Sequence, residues 1–172
     1  MEKHHDFGLT QLHPLQGVEY GRLLLKVEDA DITIPSSIKL FADQNDFKLK
    51  DEHHVTILGK RTQQMLTAAG VVDTAASLLE NVSHWSFATK DEFLLLRNVE
   101  IDDSGNQTTE ESIIQLVTIH GLDKLYDDIR QATGLDVPTP PAHITLFTKN
   151  ADRGIGLYSE KQLAGYTVKK LY

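Results

Sequence analysis

His54-Val55-Thr56-Ile57-Leu58 and His143-Ile144-Thr145-Leu146-Phe147 follow one plan: a histidine, an apolar residue, a threonine and two further apolar residues. Residues i and i+2 of a β-strand share a face. As strands, the two stretches would each aim one imidazole and one hydroxyl the same way. Val55 and Ile57, or Ile144 and Leu146, would then turn back into a core. A bare His-x-Thr triplet means little in a chain with 8 histidines. The matching apolar positions make the repeat informative. Set side by side, such strands would bring two imidazoles and two hydroxyls to one cleft, a set suited to acid–base chemistry without a metal.

Working outward from these two stretches, residues 22–27 read as a strand, and 30–51 as loop plus a short element around a polar Asp43-Gln44-Asn45-Asp46 turn. Gly59 ends the first motif strand. The spacing of Met65, Leu66, Ala69, Val72, Ala75, Ala76 and Leu79 predicts helix over 60–79, split near Gly70 and Asp73. Strands are predicted at 84–89, 92–101 and 112–120, the last two joined by the turn Asp102-Asp103-Ser104-Gly105-Asn106. Leu122, Leu125, Tyr126, Ile129 and Ala132 mark a second amphipathic helix, closed by Gly134. Pro138-Thr139-Pro140-Pro141 stiffens the approach to the second motif, and the tail from 154 holds one strand at 166–171. No linker divides residues 1–172, so a single α+β domain is expected, with two lobes around a central cleft.

Composition narrows the partners. The 172 residues are 40% hydrophobic and 24% charged, as in a soluble globular protein. There is no cysteine, which excludes disulfides and thiolate sites and suits a cytoplasmic location. The polar start Met1-Glu2-Lys3-His4-His5-Asp6 leads into no signal-like apolar region, and the apolar runs are too short for a membrane span. A net charge of -8 argues against gripping a long nucleic-acid duplex and favours a nucleotide, an RNA end or a short oligonucleotide.

With its two His-x-Thr motifs, His54-Val55-Thr56 and His143-Ile144-Thr145, the sequence resembles the two-histidine (2H) phosphoesterase superfamily. The resemblance implies a bilobal α+β fold of two antiparallel sheets flanked by helices, with both motif strands lining a central cleft. It also implies hydrolysis of a 2′,3′-cyclic phosphate, an RNA end or a short 2′-5′-linked or cyclic oligonucleotide, with one histidine as base and the other as acid. His54, Thr56, His143 and Thr145 become the catalytic candidates, with no cofactor, no metal and a monomeric state expected. Some family members degrade cyclic oligonucleotide messengers, and a non-catalytic nucleotide-binding module on the same fold is the rival reading. Several members carry a basic residue directly after the second motif; here Thr148 precedes Lys149. Phosphate neutralisation then falls to Lys149, Arg153, Lys60 or Arg61, a choice the sequence leaves open, with Tyr158 as a base-stacking candidate.

Other features receive plainer readings. His53 faces away from His54 on the strand and suits a surface or packing role. His84-Trp85-Ser86-Phe87 offers an alternative first motif, but follows the helices instead of preceding them. The adjacent pairs His4/His5 and His53/His54 lack the i, i+4 spacing of zinc hydrolases. Gly154-Ile155-Gly156 lacks the third glycine and the following helix of a nucleotide fingerprint, and reads as a turn.

Overall fold

A computed structural model describes residues 4–6, 10–11, 23–80 and 85–172, with backbone alone for 4–6, 10–11, 23 and 80. Arg22 and His84 lie outside the described residues, and with them the starts of two predicted strands and the histidine of the alternative motif. In chain order the elements are β1 (His4–Asp6), β2 (Thr10–Gln11), β3 (Leu23–Val27), α1 (Ser36–Gln44), β4 (Lys48–Leu49), β5 (His53–Leu58), α2 (Lys60–Ala68) and α3 (Val72–Glu80). There follow β6 (Ser86–Ile101), β7 (Gln107–His120), α4 (Leu122–Thr133), β8 (His143–Lys149), α5 (Glu160–Tyr166) and β9 (Thr167–Leu171).

The class is α+β, with two antiparallel sheets. The larger runs β1-β6-β7-β8-β4, with β9 also on β6; the smaller runs β2-β3-β5. The main core fills the space between one face of the large sheet, the back of the small sheet and the helices. Val55, Ile57, Tyr126, Ile129, Ile144 and Leu146 are all fully buried in it. Leu94, Leu96, Ile114, Ile155 and Leu163 form a second cluster, in which α5 and the segment before it cover the large sheet. Burial of a leucine- or phenylalanine-sized side chain is worth about 1.5–3 kcal/mol, so the alternating apolar residues of both motif strands hold them in place.

Several elements differ from the sequence reading. Residues 36–44, within the stretch read as loop plus a short element, form a nine-residue helix. Ile38 and Ala42, one helical turn apart, supply its buried stripe. The strands predicted at 84–89 and 92–101 are one strand, β6, with an irregularity between Thr89 and Phe93. Its partner β7 begins at Gln107, five residues early, because the Asp102–Asn106 turn is tight: Asp102 Oδ1 accepts from the N–H groups of Ser104 and Asn106, both at 2.9 Å. The tail holds a helix, α5, before its strand; Ser159 Oγ caps it by accepting from Gln162 N at 3.2 Å. The split between α2 and α3 falls where expected, at Gly70, whose φ of 70° suits a residue without a side chain. Among the described residues, no helix is long and apolar enough to cross a membrane.

Candidate active site

The two motif strands come together without pairing. β5 is an edge strand of the small sheet and β8 belongs to the large one, yet the two pack against each other. Along β5, Val55 and Ile57 are fully buried while His54 and Thr56 are half-buried; along β8, Ile144 and Leu146 are fully buried while His143 and Thr145 are half-buried. Both strands therefore turn their histidine and threonine away from the main core. All four side chains line one cavity of about 580 Å³, within the size range of small-molecule sites.

His143 is oriented by the stiff segment before it. Its Nδ1 donates to the Pro141 carbonyl at 2.8 Å, which leaves Nε2 as the lone-pair nitrogen of the neutral ring. Burial pushes the His143 pKa below its ordinary value, and the bond to Pro141 only partly opposes that. This histidine is neutral near pH 7 and ready to accept a proton. β5 is held from beneath by Tyr126, a fully buried residue of α4 that donates its hydroxyl to the Ile57 carbonyl at 2.7 Å. The same burial raises the Tyr126 pKa above the ordinary phenol value, so its proton stays in that bond.

The basic candidates are divided by the fold. Lys60 and Arg61 open α2 directly after Gly59 and line the cavity, as do Arg153 and Tyr158. The start of a helix favours anions. The Arg61 guanidinium stacks on the Tyr158 ring, 4.2 Å from its centroid, and the Tyr158 hydroxyl donates to Met65 Sδ at 2.6 Å. Lys149 is not among the cavity residues; its Nζ lies 5.6 Å above the Phe47 ring. A bulge is the cause. Ile113 pairs with Phe147 and Ile114 with Thr145, so Leu146 is the extra residue and the alternation reverses after it. In an unbroken strand, Lys149 would have shared the face of His143 and Thr145.

His53 faces the other way, as expected, but is interior: it is 6% exposed and its Nδ1 donates to Asp29 Oδ1 at 3.2 Å. Tyr166 joins the cavity wall, whereas Tyr126 is core. The sequence reading missed Lys50, Glu52, Glu100 and Glu110, which also line the cavity. Lys50 and Glu52 stand at even spacing before His54 and Thr56, a signal that was present in the chain. Glu100 and Glu110 come from the far end of the β6–β7 hairpin, and only its register brings them to the site. Among the described residues, no group of three or more His, Asp or Glu side chains is placed to hold a metal ion.

Comparison with protein-family models, with curated proteins and with solved structures finds no match to this chain.

Proposed function

We propose that the chain is a metal-independent phosphodiesterase with the bilobal architecture of the two-histidine (2H) phosphoesterases. Its substrate would be a 2′,3′-cyclic phosphate, an RNA end or a short 2′-5′-linked or cyclic oligonucleotide. The observation that carries this reading is the shared cavity: two His-x-Thr strands, far apart in sequence and held in different sheets, turn all four polar side chains into it.

In the proposed reaction, His143 Nε2 takes a proton from a water whose oxygen attacks phosphorus. The bond from phosphorus to one ribose oxygen breaks, and protonated His54 gives that oxygen a proton. A diester and water become a phosphomonoester and a free hydroxyl. Thr56 and Thr145 donate to the non-bridging oxygens, where charge gathers during the displacement. Lys60, Arg61 and Arg153 offset the phosphate charge, and the Arg61–Tyr158 stack offers a surface for a base. The assignment of His143 as the base rests on its neutral ring and fixed tautomer.

The test is incubation of the protein with EDTA and a panel of 2′,3′-cyclic nucleotides, 2′-5′ oligoadenylates and cyclic di- and trinucleotides, with products identified by mass. Conversion of at least one substrate to a phosphomonoester is expected. Nucleotide bound but recovered unchanged after hours would instead identify a non-catalytic binding module.

A further inference from the structure

Thr145 has a close neighbour in the segment that follows β8. A Cβ added to Gly154 would lie 2.6 Å from Thr145 Oγ1, 3.0 Å from its Cγ2 and 3.2 Å from its Cβ. The first of these distances is shorter than real Cβ contacts allow. Backbone conformation is not the reason for glycine here. Among the described residues, the glycines with left-handed backbone are Gly70, Gly105, Gly121 and Gly134. Gly154 serves space.

Neither partner can easily withdraw. Asn150 Nδ2 donates to the Thr109 carbonyl at 3.0 Å, and Lys50 Nζ donates to the Asp152 carbonyl at 2.6 Å. Ile155 is 4% exposed in the second core cluster, and its N–H donates to Ser112 Oγ at 3.3 Å. Further on, Tyr158 N donates to Gln162 Oε1 at 2.7 Å. The segment 150–158 is thus fastened on both sides of Gly154. Thr145 is fixed in turn by the β7–β8 ladder, where it pairs with Ile114. A threonine has two heavy atoms on Cβ and few open rotamers. Both of them now lie against residue 154.

We propose that Gly154 is a positioning residue for Thr145: its missing side chain lets the 150–158 segment lie against the threonine and hold its hydroxyl in the rotamer used at the site. A methyl group at 154 would drive Thr145 out of this rotamer, and its hydroxyl, the nearest atom at 2.6 Å, would be displaced. The effect on rate rests on the reaction proposed above; the effect on the rotamer does not.

The experiment compares wild type, T145S, G154A and the T145S/G154A double variant. It reads kcat, KM, thermal melting and the three-bond NMR couplings that report χ1 of residue 145. G154A is expected to change χ1 of Thr145 and to lower kcat roughly 10- to 100-fold, since small misplacement of reacting groups is costly, with little change in KM. Serine has a single heavy atom on Cβ and can turn it away from a methyl group. Adding G154A to T145S should therefore cost less than about threefold beyond T145S itself. An equal loss in both backgrounds, an unchanged χ1 in G154A, or unfolding of both G154A variants would each overturn the proposal. If wild type turns over no substrate, the reaction is wrong and χ1 alone decides the role of Gly154.

Discussion

His143 gives its Nδ1 proton to the carbonyl of Pro141, two residues earlier, at 2.8 Å. That bond ties the tautomer of one candidate catalytic ring to the rigid Pro138–Pro141 segment. Burial then depresses the His143 pKa below the usual 6.5. Together they present Nε2 as an unprotonated nitrogen at the start of β8.

This fixes the direction of a pH effect. If His143 is the base, kcat/KM should rise with pH along a limb whose apparent pKa lies below 6.5. A pH–rate profile, paired with an NMR titration of the His143 ring, checks this. Stability should follow the same sign. Below about pH 6.5 the unfolded chain binds a proton that folded His143 resists, so its contribution is present above that pH and is lost as pH falls through the depressed folded value. His143→Gln should flatten that part of the stability curve.

The cavity wall separates two basic side chains that look alike in sequence. Arg61→Ala and Tyr158→Ala each break the stacked pair and should raise KM several-fold, with a smaller effect on kcat. Lys149→Ala removes a cation that the Leu146 bulge turns toward Phe47, and should leave both constants near wild type. Steady-state kinetics of the three variants decide this; a strong KM effect from Lys149 would place the bulge elsewhere.

Tyr126→Phe should destabilise the fold by about 1–3 kcal/mol, because it leaves the buried Ile57 carbonyl without that donor. Denaturant melts measure the loss. The variant should also slow turnover modestly, since Ile57 follows Thr56 directly on β5.

The motif strands were legible because their alternation is strict and their apolar residues are wholly interior. Gly70 and Gly134 likewise marked helix ends by backbone preference alone. Helix α1 was read only as a short element within a loop, because Pro35 and the polar Asp43–Asp46 turn flank it, although Ile38 and Ala42 already stood one turn apart. Helix α5 carried a capping pattern in Ser159-Glu160-Lys161-Gln162 that a strand reading of the tail overlooked. The candidate cavity was legible in its centre and less so at its rim. His54, Thr56, His143 and Thr145 share a simple periodicity, whereas Lys149 is excluded by a bulge. Glu100 and Glu110 are brought in by the pairing of a long hairpin, and Gly154 matters only through a contact across space. Each of these three depends on tertiary pairing that no local pattern encodes.

The most direct test is single-turnover hydrolysis, in EDTA, of whichever substrate the panel selects, by wild type, His54→Ala, His143→Ala and the double variant. Acid and base acting on one displacement predict a loss of about 10²- to 10⁴-fold in each single variant, unchanged melting, and a double variant little worse than either single one. Full activity in either single variant would contradict the paired-imidazole account.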